Sequence, residues 1–338
     1  MRTKIIGHER FYVITTANEL RTFCRMANED KNTVRRYNGL LSANIDFNPG
    51  LNPKSETDRA RCRSWTPIGN EDRTYKGTFD GNGYTISGLF IDEEDKNYLG
   101  LFGYIENDTT IRGVTVDGYI RGGWYIGGVV GNSLSRIKDC VNKTEVIGRD
   151  NVGGICGSCC GILSGCTNKG NIAGDKLVGG VCGNIVRGDL TSCINEGTVV
   201  GNIQIGGVCG VMRGTLLGCA NKGIVKGDCW SGGIVGCNSG EVSDCSNEGS
   251  VTGHEYTGGI SGSAIGTISD CQNKGIIRGD KVTGTITGLV EEKASVTNCL
   301  DLSSSQISVT GKIKEGAKFV PVASDAAQQP QHFPEMER

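Results

Sequence analysis

The chain has 338 residues, of which 54 are glycine and six proline, and a formal net charge of −2. Glycine at about 16%, against a usual share near 7%, combined with so little proline, excludes collagen and general low complexity and points to many tight turns where a residue without Cβ takes φ > 0. Charges are spread without a basic stripe, which argues against nucleic acid as a partner, and no apolar run reaches the roughly 18 residues that a membrane helix needs.

Residues 1–10 carry charge but no apolar core of the kind a signal peptide needs, so none is visible. That fits either a cytoplasmic protein or a piece of an exported one. Residues 12–14 read as a strand. Thr16 followed by Glu19 is a capping box, and residues 18–28 place Leu20, Phe23 and Cys24 on one face, so a short amphipathic helix is expected. Residues 39–47 alternate like a strand, and residues 48–64, polar and charged, read as a loop. Trp65-Thr66-Pro67-Ile68-Gly69, Phe79-Asp80-Gly81-Asn82-Gly83 and Gly100-Leu101-Phe102-Gly103 read as larger, irregular coils with aromatic filling. Asp80-Gly81-Asn82-Gly83 lacks the later ligands of a calcium loop and is taken as a turn.

A repeat then sets in. Cys140, Cys166, Cys193, Cys219, Cys245, Cys271 and Cys299 are spaced by 26, 27, 26, 26, 26 and 28 residues. A Gly-Gly pair runs in step from Gly127-Gly128 to Gly258-Gly259, and the seventh copy reads Gly284-Thr285. Asn142, Asn168, Asn195, Asn221, Asn247 and Asn273 stand two residues after their cysteines. Glycine and β-branched residues without a 3.6-residue stripe exclude helix, and runs of three to five residues between Gly or Asn read as strands. One such unit cannot bury its apolar face alone, whereas stacked units can. The fold expected is therefore all-β: a parallel β-helix of about 26-residue coils, with the short N-terminal helix covering its open end. Its domains would be a cap over residues 1–64, the β-helix over 65–310 with regular repeats from about 124 to 300, and a C-terminal end with a disordered tail over 311–338.

Each repeat position becomes a ladder in such a stack. The Ile or Val after Gly-Gly, the Cys and the Ile or Val after Asn-x-Gly share the inward parity. The sixteen cysteines then read as packing residues and mostly reduced thiols, since parallel neighbours seldom offer disulfide geometry. The inward Asn is expected to bond the Asn above and below. The outward residue after it reads Lys143, Lys169, Glu196, Lys222, Glu248 and Lys274, alternating in sign from Lys169 onward.

The segments Ile14-Thr15-Thr16-Ala17-Asn18-Glu19-Leu20, Asn44-Ile45-Asp46-Phe47, Trp65 to Gly69 and Gly77 to Ile86, followed by repeats such as Gly258-Gly259-Ile260-Ser261-Gly262 through Asp270-Cys271-Gln272-Asn273-Lys274-Gly275, together resemble bacterial surface proteins carrying GLUG repeats. The resemblance covers about residues 11–300. It implies a right-handed β-helix, a secreted or cell-surface location, and adhesion or display; some members of that group flank IgA-specific metallopeptidase domains. It carries no catalytic residue onto this chain.

The chemistry available is sparse. The histidines are His8, His254 and His332, and no His-Glu-x-x-His occurs, so zinc peptidase chemistry is not expected here. Cys156, Cys159 and Cys160 form Cys-x-x-Cys-Cys, read as packing in preference to a zinc or redox site. No cofactor, metal or catalytic residue is assigned. Asp244 and Asp270, each just before its Cys on adjacent coils, are the carboxylates through which a carbohydrate-active β-helix enzyme would act. Gly165, Ser192 and Gly218 at the same position favour a solvated outer face. Two residues before each Gly-Gly, where a variable loop is expected, stand Tyr125, Asn151, Leu177, Gln204, Trp230, Tyr256 and Val282, with Trp124 beside Tyr125. Trp124, Tyr125, Trp230 and Tyr256 are the ligand-binding candidates, for a glycan or a host protein, because aromatic rings stack on sugars and anchor partners. The plain alternative is turn packing against the neighbouring coil. The functional readings are thus a non-enzymatic adhesive β-helix, a carbohydrate-active enzyme, or a structural spacer.

Overall fold

The computed structural model describes residues 1–30, 36–303 and 307–320. They form a β-solenoid of about 12 turns. A regular coil runs through five short strands, in the first case Trp124–Gly127, Val130–Ser133, Arg136–Lys138, Val141–Asn142 and Glu145–Ile147. Each pairs in parallel with its equivalent one coil on. Four sheets result: the first from the Trp124–Gly127 position, the second from Val130–Ser133, the third from Arg136–Lys138, and the fourth from the last two strands. The fourth sheet forks, because the longer strand Thr115–Arg121 pairs with both Val141–Asn142 and Glu145–Ile147. The split falls at Asn142, whose counterpart on the earlier strand is Val116.

The inward ladders hold the coils in register. Val129, Ile155, Val181, Val208, Ile234, Ile260 and Ile286 are fully buried, as are Val146, Val199 and Val225 on the opposite wall. Between them the asparagines form a continuous chain. Asn142 Nδ2 donates to Asn168 Oδ1 at 2.8 Å, and the same bond recurs at 2.8 Å from Asn168 to Asn195, Asn221, Asn247 and Asn273 in turn. Each Nδ2 also donates to the carbonyl two residues on, as Asn221 does to Gly223 O at 3.0 Å. All these amides are wholly buried, and pairing them removes the penalty of an orphaned polar group, about 1–3 kcal/mol each.

The second glycine of each pair leaves room for that amide. A Cβ on Gly154 would lie 2.3 Å from Asn168 Oδ1 and 2.2 Å from Gly180 O. The last copy gives up both partners together. Thr285 replaces the second glycine, and Asp301 pairs with Asn273 where another Asn would stand.

All sixteen cysteines are free thiols. In the main ladder each thiol spans a bend, donating to the carbonyl two residues before it, at 3.0 Å for Cys245 and 3.5 Å for Cys219. Sulfur also accepts from the coil before, as Cys166 N–H donates to Cys193 Sγ at 3.4 Å. A small apolar residue with a weak donor and acceptor serves here where Ala could make neither bond.

At the N-terminus the strand Glu9–Ile14 leads into the helix α1, Ala17–Glu29, and returns by the parallel strand Asn38–Leu41. The capping box is present: Glu19 N–H donates to Thr16 Oγ1 and Thr16 N–H to Glu19 Oε2, each at 3.2 Å. Leu20, Phe23 and Cys24 are buried. Phe23 meets Phe79 and Tyr75 with ring centroids 5.9 and 6.2 Å apart, so α1 covers the first aromatic coils. Two features escape the sequence reading. Thr3–Ile6 folds back antiparallel on Glu9–Ile14, and the polar stretch of residues 48–64 contains the short helix Glu56–Arg59. At the other end Thr310–Ile313 and Lys318–Val320 continue the second and third sheets. The expected tail from Ala323, with His332, lies outside the described residues.

Candidate functional site

Each coil contains two bends in which one residue takes a left-handed backbone. The first bend precedes the ladder cysteine. It is occupied by Gly113, Asp139, Gly165, Ser192, Gly218, Asp244, Asp270 and Asn298, with φ between 52° and 63°. These are the residue types that tolerate φ > 0, by lacking Cβ or by bonding locally through a short polar side chain. The second bend lies two residues before Gly-Gly, inside the first-sheet strand in the six coils from Tyr125 to Tyr256. There Tyr98, Tyr125, Asn151, Leu177, Gln204, Trp230, Tyr256 and Val282 occupy the left-handed region, at φ 54° for both Trp230 and Tyr256. The register passes over this residue: Trp124 pairs with Asp150 and Ile126 with Val152. The position expected in a loop is thus a bend within a strand. Short strands flanking one residue without a ladder partner look like a loop in sequence.

The rings in this second ladder meet each other. Trp230 and Tyr256 stack with centroids 6.1 Å apart and planes 15° apart. Tyr125 stacks on Tyr98 at 4.9 Å and 5°, and Tyr98 on Tyr104 at 5.6 Å and 17°. Tyr98 and Tyr104 were missed in the sequence, although Tyr98-Leu99-Gly100 stands 27 residues before its copy Tyr125-Ile126-Gly127. Trp124 joins neither group; it is 54% exposed and its backbone N–H donates to Asn97 Oδ1 at 2.9 Å. The stacked rings are half-buried. Burial, followed by a hydrogen bond to Glu71, pushes the Tyr98 hydroxyl up to about 12. Burial likewise raises Tyr104 and Tyr256, so these phenols stay neutral at physiological pH.

The second ladder leans over the outer face of the second sheet. That face presents Tyr104, Asn132, Ser158, Asn184, Val211, Cys237, Ser263 and Leu289 in register. Tyr98 reaches it through Tyr104. Together the two ladders make a strip sixteen positions in extent over eight coils without one Asp, Glu, Lys, Arg or His. The chain as a whole is 21% charged, and the outward ladder after the asparagines is charged in every coil from Lys143 to Lys274. Charges do border the strip: Asp150, Lys176 and Glu255 flank it on the first sheet, and Arg213 reaches Asn184 Oδ1 at 3.4 Å. Asn151 Oδ1, within the strip, is buried without a hydrogen-bond partner.

The remaining sequence candidates have structural explanations. Asp244 and Asp270 are exposed and occupy the turn-forming ladder; their residue type answers the backbone. Cys156 and Cys159 are buried in one strand and Cys160 is half-buried. The Cys156 thiol donates to Ser158 O at 3.0 Å, as Cys209 does to Val211 O at 3.1 Å and the Ser261 hydroxyl to Ser263 O at 2.8 Å. Burial pushes Cys156 well above the ordinary thiol range, while the hydrogen bond from Cys156 lowers Cys159 beside it. Among the described residues no three or more His, Cys, Asp or Glu side chains are grouped to hold a metal ion. His254 pairs with Asp280 on the next coil at 2.9 Å, at the surface. Of the four neighbouring pairs in the alternating Lys/Glu ladder, Lys169–Glu196 closes, to 3.1 Å. No helix among the described residues is long and apolar enough to cross a membrane.

No family model matches the chain. Over 115 residues, 32% of the chain, it is 33% identical to an Evansella cellulosilytica protein described provisionally as a Gly-rich membrane protein, of which the match spans 11%. Over 128 residues, 37% of the chain, it is 28% identical to halomucin of Haloquadratum walsbyi, of which the match spans 1%. The chain therefore corresponds to a small part of either relative. Among solved structures it is similar to a Bacteroides ovatus protein described provisionally as an immunoglobulin A1 protease, with a TM-score of 0.52 and 17% identity over 86% of this chain and 84% of that one. At that identity the likeness concerns the fold alone.

Proposed function

We propose that this chain is a non-enzymatic binding segment of a secreted or surface-attached bacterial protein, of the GLUG-repeat kind, and that its ligand surface is the strip of left-handed aromatic and amide residues centred between Tyr98 and Tyr256. The observation that carries this reading is the contrast between the two left-handed ladders. Both make the same demand on the backbone. One meets it with Gly, Asp, Ser and Asn; the other, Asn151 apart, retains Tyr, Trp, Leu, Gln and Val, each at a cost on the order of 1 kcal/mol. Residues kept against backbone preference on a rigid scaffold are where function is to be sought. The GLUG-type resemblance and the short stretches shared with large Gly-rich relatives support the surface location.

The test is binding of the purified chain to immobilised glycans and to host-surface proteins. Signal should fall at least tenfold in the variant Trp230→Ala plus Tyr256→Ala, and persist in Lys222→Ser, an exposed residue of the charged ladder. Binding equally strong in all three proteins would refute the assignment.

A further inference from the structure

The strip has a repeat and a composition, and both restrict what fits it. We infer that it binds a linear, uncharged polysaccharide lying parallel to the solenoid axis, one sugar ring to a coil. This rests on the proposed binding role of the strip and narrows its ligand class.

The repeat comes from the sheets. Equivalent residues on successive coils are separated by the parallel-strand spacing, about 4.8 Å. Six steps separate Tyr98 from Tyr256, roughly 29 Å in all. The advance per ring of an extended chain of equatorially linked pyranoses is close to one such step. A chain laid along the axis therefore presents the same groups to every coil. Laid across it, the same chain would leave the strip, which is two ladders wide, within about two rings.

The composition comes next. None of the sixteen positions carries a side chain charged at neutral pH, so the ladders themselves offer no counter-charge to a polyuronate, a sulfated glycan or a sialylated end and no salt-bridge partner to a basic peptide, the charges being confined to the border. What they offer is rings at both ends and neutral hydrogen-bonding groups between. Tyr98 and Tyr125 stand at one end and Trp230 and Tyr256 at the other. The middle coils carry Asn132, Asn184 and Gln204, all partly exposed, and Asn151, whose Oδ1 is buried and whose Nδ2 donates to Asp150 Oδ1 at 3.1 Å. Ring faces take the apolar C–H faces of sugars. Amides, each both donor and acceptor, match hydroxyls, which are both as well. The raised phenols keep the aromatic ends neutral too.

Two ring clusters on a rigid support also imply a length threshold. A short oligomer engages one cluster, while one long enough to span both gains the second contact intramolecularly. The experiment is isothermal titration of the full chain with β-1,4-linked gluco-oligosaccharides of two to eight rings, with polygalacturonate and heparin fragments of equal length alongside, at low and high salt. Affinity is expected to rise at least tenfold between three and seven rings, to be insensitive to salt, and to exceed that for either polyanion. Trp230→Ala plus Tyr256→Ala should flatten the rise while leaving the weak binding of the trimer at the Tyr98–Tyr125 end. Glycan binding that is independent of length, or stronger for a polyanion, overturns this inference and leaves the binding role standing. Absence of binding to every glycan class overturns this inference too, and if host proteins then bind through the same residues the broader role survives.

Discussion

Asp244 and Trp230 sit in one coil, at φ 53° and 54°, and the residues stacked above and below them obey opposite rules. In the ladder of Asp244 the side chains suit the bend: Gly, Asp, Ser, Asn. In the ladder of Trp230 all but Asn151 oppose it. The backbone requirement is equal, so it cannot account for the difference. Packing accounts for part, since Trp230 stacks on Tyr256 and the neighbouring outer residues Val211, Cys237, Ser263 and Leu289 are buried. Packing does not explain the absence of any charged residue along the Trp230 ladder, against one charge per coil on the ladder after the asparagines, and that absence is a ground for the binding role proposed above.

The contrast between the two left-handed ladders presupposes that the inward ladders impose the bends. Asn221→Ala removes donations to Asn247 Oδ1 and Gly223 O and the acceptor for Asn195 Nδ2; it should cost about 3–6 kcal/mol in denaturant unfolding, from several orphaned buried groups. A loss below 1 kcal/mol would mean the coils hold their bends without the amide chain. Gly218→Val transfers a β-branched residue to the turn-forming ladder where space is open, the nearest heavy atom to a new Cβ being Ser192 Oγ at 4.0 Å. The expected cost is roughly 2 kcal/mol, all of it backbone strain, and its absence would remove the energetic basis of the contrast. In the other ladder Leu177→Asn should raise stability by up to about 1 kcal/mol, as Asn151 already occupies the same bend one coil earlier. The smallest effect belongs to Asp244→Asn with Asp270→Asn, a change of less than about 0.5 kcal/mol with ligand binding intact; a loss of sugar-cleaving activity in that variant would instead revive the enzymatic reading.

Much of the fold was legible because one residue in each repeat answers one position. The spacing of Cys140 to Cys299, the Gly-Gly pairs and the asparagines prescribes in-register stacking, and Thr16 with Glu19 marks the helix start to within a residue. The hairpin at Thr3–Ile6 was not legible, since exposed edge residues carry no burial pattern. The site was half legible. Trp230 and Tyr256 could be placed on adjacent coils by counting, but Tyr98 and Tyr104 lie before the cysteine marker begins, and the left-handed bend at Tyr125 has no composition signal because its residues are the wrong ones for it. That same mismatch makes the structure informative where the sequence was silent.

The central claim, that the aromatic residues are held in the left-handed ladder for binding and at the expense of stability, is tested most directly by the double variant Trp230→Asn plus Tyr256→Asn, measured for both unfolding midpoint and ligand affinity. The account predicts an unfolding free energy within about 1 kcal/mol of the parent, the lost ring packing being offset by relief of the bend, together with at least a tenfold loss of affinity. A protein destabilised by several kcal/mol that still binds its ligand as before would show that the rings are there to pack, and would contradict the account.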